Sequence, residues 1–87
     1  MNNKEISVGV SYFADGNVVP ELLTEDEAIK FLRLDDGATK KPSVTLQYYR
    51  NEGSLRATQV GKKMRYLKSE LINFLKLQTQ KTNGEIS

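Results

Sequence analysis

Five cations stand close together in this chain: Arg50, Arg56, Lys62, Lys63 and Arg65. Lysine and arginine at that density do one thing well, which is to neutralise phosphates. Each contact releases condensed counterions and so gives affinity for a nucleic acid without reading its sequence. Just before them come groups that can read bases. The Gln47 amide can pair bidentately with adenine N6 and N7, and the Ser43 and Thr45 hydroxyls can donate to phosphates or bases. Other chemistries are excluded by residue type. The chain has no cysteine and no histidine, which removes disulfides, thiol nucleophiles, histidine general bases and ordinary zinc sites. Tyr66 has no base or arginine cluster that would make it a nucleophile. Glu25-Asp26-Glu27 reads as the acidic first turn of a helix, not as a metal site. The expectation is therefore a binding protein with no catalytic residue, no metal and no cofactor.

Charge is divided along the chain. From Met1 to Pro42 there are five Lys or Arg against eight Asp or Glu, whereas from Ser43 to Lys76 there are seven against two. A small domain built from such halves presents one positive face, as a polyanion partner requires. The plainer reading is that these charges only keep the chain soluble. With 87 residues, 38% of them apolar and 28% charged, the chain suits one small globular domain. It has no apolar run of membrane-spanning length and no secretory leader, so the expected compartment is the cytoplasm, with no membrane partner.

These residues need elements to hold them. Ile6, Val8, Val10 and Tyr12 alternate with polar or small residues, which predicts a short strand, and Asp15-Gly16 before Val18-Val19 is a hairpin signal. An isolated ribbon is marginal in water, so this piece must lean on the rest of the domain or on a partner. Thr24 and Glu27 form a capping box, with Leu23 and Ala28 at the staple positions, and a first helix follows with Ala28, Ile29, Phe31 and Leu32 as its apolar stripe. The stripe ends at Leu34-Asp35-Asp36-Gly37, and a polar loop continues to Pro42. Ser43 is the expected N-cap of a second helix, in which Leu46 and Tyr49 face inward, Thr45, Gln47, Tyr48 and Asn51 line the surface, and Gly53 ends the helix. Arg56 to Val60 and Met64 to Leu67 then make a hairpin across Gly61-Lys62-Lys63. A third helix from Lys68 to Gln78 is expected to cover the core with Leu67, Leu71, Phe74 and Leu75. The chain thus divides into an N-terminal extension with a hairpin (residues 1–21), a domain (residues 22–78) and a flexible tail (residues 79–87).

Helix, loop, helix, basic hairpin, helix is the order of a winged helix-turn-helix, mainly α with a small β-hairpin wing. In that arrangement the second helix enters the major groove and the wing meets backbone or minor groove. Lys62, Lys63 and Arg65 would lie on the wing, Arg56 at its base, and Arg50 with Asn51 on the second helix. The run Thr45-Leu46-Gln47-Tyr48-Tyr49-Arg50-Asn51-Glu52-Gly53 with Leu55 resembles the recognition-helix signature of the MerR superfamily. Leu23-Thr24 with Ala28, and Val60-Gly61-Lys62-Lys63-Met64-Arg65-Tyr66 running into Glu70-Leu71 and Phe74-Leu75, resemble its small excisionase-like form. The likeness spans Leu22 to Leu77. It implies sequence-specific binding of double-stranded DNA, with Thr45, Gln47 and Tyr48 at the DNA and Tyr49 in the core. Gln47 stands where that family usually carries a basic residue, and no long dimerisation helix follows the wing. Excisionase-like members of the family act architecturally at recombination sites, where an integrase is the natural protein partner, and regulator-like members act in transcription at promoters. Both roles fit these residues. So few cations per domain lead us to expect self-association or cooperative binding on repeated half-sites. A second class is an adaptor that does not bind DNA and docks a protein through the winged fold and its N-terminal strand.

Overall fold

The computed structural model describes residues 10–83. The capping box forms as expected. The Glu27 backbone N–H donates to Thr24 Oγ1 at 3.2 Å, and the Thr24 N–H donates to Glu27 Oε1 at 2.9 Å. From this cap runs helix α1 (Glu25–Phe31), preceded by a two-residue strand β1 (Leu22–Leu23). Leu23 and Ala28, either side of the cap, are fully buried. Thr24→Ala is expected to cost about 1 kcal/mol, because it leaves the Glu27 N–H without its acceptor. A lowered urea midpoint at unchanged slope in circular dichroism would show this.

Leaving α1, Arg33 takes the left-handed backbone (φ 60) and turns the chain into a short 3-10 turn, Leu34–Asp36. Helix α2 (Pro42–Glu52) follows. Ser43 is not its N-cap. That position belongs to Lys41, with Pro42 as first helical residue and the Thr45 N–H donating to the Lys41 carbonyl at 3.0 Å. Proline wins the first position because its fixed φ suits the helix and the N–H it lacks is one the helix leaves unpaired there anyway. At the far end Gly53 (φ 92) is the left-handed terminator, a conformation a Cβ would strain, and the chain reverses with Gly53, Ser54 and Leu55 N–H groups all directed to the Tyr49 carbonyl.

The reversal delivers strands β2 (Thr58–Val60) and β3 (Lys63–Leu67), antiparallel, with Val60 opposite Lys63. The turn is therefore only Gly61-Lys62, one residue shorter than the sequence suggested, and Lys63 is a strand residue. Gly61 (φ 64) supplies the positive φ that a two-residue hairpin turn needs at its first position. β1 pairs with the other edge of β3, Leu22 opposite Leu67 and Leu23 opposite Tyr66, giving a three-stranded antiparallel sheet in the order β1-β3-β2. Lys68 fastens this junction. Its N–H donates to the Glu21 carbonyl at 2.8 Å, and its buried ammonium lies 3.3 Å from the Glu21 carboxylate.

Helix α3 (Lys68–Thr82) runs one turn past the expected end, so residues 79–82 are helix, not tail. Asn83 closes it with two bonds to the Thr79 carbonyl. Only part of its expected apolar face turns inward. Leu71 and Phe74 are buried, but Leu67 and Leu75 are 41% exposed. Leu67 has extended backbone and belongs to the sheet, so the i, i+4 spacing that linked it to Leu71 is not helical. No helix among the described residues is long and apolar enough to cross a membrane.

The expected N-terminal strand falls partly on residues 6–9, which lie outside the described residues. What is described is a tight reversal with a single bridge, Tyr12 to Val18. Tyr12 and Val10 are exposed, and Phe13 and Val19 are buried with Leu23, Ala28, Ile29, Leu46, Leu55, Tyr66, Leu71 and Phe74 in one core. Residues 13 and 19 thus belong to the same packed unit as the helices. Lys30 of α1 ties the reversal down, paired with Asp15 and with its ammonium 4.8 Å from the centre of the Phe13 ring. The hydrogen bond from Lys30, helped by the Asn17 backbone N–H, holds the Asp15 carboxyl below its ordinary value. This tie acts above the ordinary carboxylate range and is lost as pH falls through the lowered value.

Candidate nucleic-acid interface

Helix α2 has two unlike sides. Leu46 is fully buried, and Tyr49 packs against the core with its ring edge-on to Phe74 at 4.8 Å. On the other side Ser43, Val44, Gln47, Tyr48 and Asn51 are exposed, Val44 by 55% and Tyr48 by 58%. Residues 44, 47, 48 and 51 follow the i, i+3, i+4, i+7 spacing of one helix face. Four of these five were expected from sequence. Val44 was not, because a lone valine between two hydroxyl residues gives no periodic signal. As an exposed apolar residue in the first turn of α2, it has the chemistry to meet a thymine methyl group. Tyr48 is held edge-on by Tyr49, ring centres 5.2 Å apart, so its ring is braced rather than free.

Two expected site residues already have partners within the fold. Thr45 is half-buried and its hydroxyl lies 2.9 Å from that of Thr39, which bonds α2 to the loop before it. Arg50 directs Nη1 to the Tyr66 hydroxyl at 2.6 Å. Tyr66 is fully buried, and burial pushes its phenol above the ordinary value against the opposing pull of the Arg50 guanidinium. Nothing in the residue types foretells this bond, which joins positions sixteen apart.

Two clefts flank the hairpin and hold every cation of the set except Lys62. Arg50, Asn51, Gly53, Leu55, Arg56, Ala57 and Met64 line an open cleft between the end of α2 and the hairpin. Lys63 and Arg65 line a second one, with Met64 and the first turn of α1: Thr24, Glu25 and Asp26. Lys62 stands at the exposed turn. Arg65 and Lys63 alternate with inward Met64 and buried Tyr66 along β3, as the period of a strand requires. The structure thus gathers Arg50, Asn51 and Arg56 at one cleft and Lys63 and Arg65 at another beside two carboxylates, while Ser43, Gln47 and Tyr48 share the exposed side of α2. Among the described residues, no group of three or more acidic side chains is placed to hold a metal ion.

Comparison with protein-family models, with curated proteins and with solved structures finds no match to the chain.

Proposed function

We propose that the chain is a small winged helix-turn-helix domain of the MerR and excisionase-like kind that binds double-stranded DNA without catalysis, as an architectural factor or a transcriptional regulator. The observation that carries this reading is the outward face of α2. Amide, hydroxyl, aromatic and small apolar groups share one exposed helix face, on an element whose opposite side is anchored in the core by Leu46. A helix of eleven residues fits the major groove, where amides read adenine and apolar groups meet thymine methyls. The β2–β3 hairpin serves as the wing, its Lys62, Lys63 and Arg65 with Arg56 supplying phosphate contacts. One such domain makes few contacts, so binding is cooperative or dimeric on repeated half-sites.

The test is anisotropy of a labelled random-sequence duplex titrated with the protein over a range of salt. Four or so phosphate contacts per domain predict a slope of log affinity against log salt of about −3.5 for each domain bound. A duplex that fails to bind even at low salt overturns the reading and favours the adaptor, whose partner would be a protein.

A further inference from the structure

The backbone of α2 packs on α1, while β3 packs on α1 and α3. Between α2 and β3 backbone contact is slighter than in any of those pairs. Beside the core that Leu46 and Tyr66 share, a polar side-chain bond joins the two elements, Arg50 Nη1 to Tyr66 Oη at 2.6 Å. Both ends of that bond are well fixed. Tyr66 lies in the middle strand, fully buried and paired with Leu23. Arg50 is half-buried in the last turn of α2, one helical turn beyond the core residue Leu46.

We propose that Arg50 is a positioning residue: its guanidinium, held on the Tyr66 hydroxyl, fixes the distance and angle between the recognition helix and the wing strand so that both meet one duplex at once. This rests on the DNA-binding reading above. A planar guanidinium suits the task because its donors are fixed in one plane, and the buried hydroxyl gives one of them a defined acceptor. With the bond in place, the helix face and the hairpin cations are presented together. Without it each element can still touch DNA, but the pair must be ordered during binding, which weakens affinity without removing a phosphate contact.

That difference makes the role testable against a direct phosphate contact. Tyr66→Phe deletes only the hydroxyl and keeps the buried ring, and Arg50→Met keeps the stem and deletes the charge. Each variant and the double variant are titrated against the labelled random-sequence duplex over a range of salt, at temperatures where circular dichroism shows all of them folded. The expected result is affinity about tenfold lower in each single variant, a salt slope equal to that of the wild type, and a double variant no weaker than either single one. If Arg50→Met flattens the slope by about 0.9 while Tyr66→Phe binds like the wild type, Arg50 is a phosphate ligand and the proposal falls. It falls equally if both variants bind like the wild type and differ only in melting temperature, since the bond then serves stability alone. If the wild type itself shows no salt-dependent binding, the DNA-binding reading fails and the positioning role fails with it, an outcome distinguishable because it appears before any substitution is made.

Discussion

Replacing Lys62, Lys63 and Arg65 together by alanine is expected to weaken duplex binding on the order of 10–100-fold at low salt and to flatten the salt slope by about 2.7, while leaving the melting temperature within a few degrees of the wild type. The two parts of this expectation have separate causes. Lys62 and Lys63 are exposed, and the 3.3 Å bond from Arg65 Nη1 to the Met64 carbonyl is local to its own strand. The core beneath the hairpin is built from Tyr66 and the half-buried Met64, which the triple substitution does not touch. Affinity, in contrast, depends on how many phosphates the cations can neutralise. The three should not contribute equally. Lys63 and Arg65 share their cleft with Glu25 and Asp26, whose charges already offset part of the positive potential there. Lys62, exposed at the turn, does not line that cleft, so Lys62→Ala alone should lose more affinity than Arg65→Ala. Anisotropy titrations of the single and triple variants over a range of salt check both statements. An unchanged slope in the triple variant would remove the hairpin from the interface.

The parts of this fold that were legible in the sequence are those where a local rule has a single outcome. Thr24 and Glu27 specify a cap through atoms three residues apart, and Gly53 and Gly61 sit where only a positive φ closes the chain. The misreadings arise where a local signal had a competitor. Ser43 is a good N-cap by type, but Pro42 beside it is a better first helical residue and moved the boundary. Leu67 matched helical spacing to Leu71 only while it was assumed to be helical; pairing with Leu22 makes it a sheet residue. β1 is two residues long, too short for any period to be read, and exists because β3 offers it a free edge. On the candidate site, the exposed side of α2 could be read from the inward spacing of Leu46 and Tyr49. The tie between Arg50 and Tyr66, and that between Thr39 and Thr45, could not, because each depends on where separate elements come to rest.

Leu46 and Gln47 are adjacent on α2 and should separate stability from recognition. Leu46 is fully buried, so Leu46→Ala leaves a cavity in the core and is expected to cost about 2–5 kcal/mol. For a domain of this size, whose total stability is on the order of 5–15 kcal/mol, that approaches the margin for folding. Gln47 is exposed, so Gln47→Ala should change stability by about 0.5 kcal/mol or less. With no tryptophan in the chain, far-ultraviolet circular dichroism in urea is the direct measure. Under the proposed DNA-binding function the order inverts. Duplex at about 100 times its dissociation constant should restore about 2.7 kcal/mol to Leu46→Ala, because a ligand that binds only the folded form stabilises that form and the substitution leaves the exposed side of α2 unchanged. Gln47→Ala gains the same stabilisation on random-sequence duplex, yet should lose about 1–3 kcal/mol of discrimination between a selected site and that duplex. A Leu46→Ala protein that stays as stable as the wild type would contradict the packing of α2 on the core. A Gln47→Ala protein that keeps full discrimination would leave Val44, Tyr48 and Asn51 as the residues of that face that read the bases.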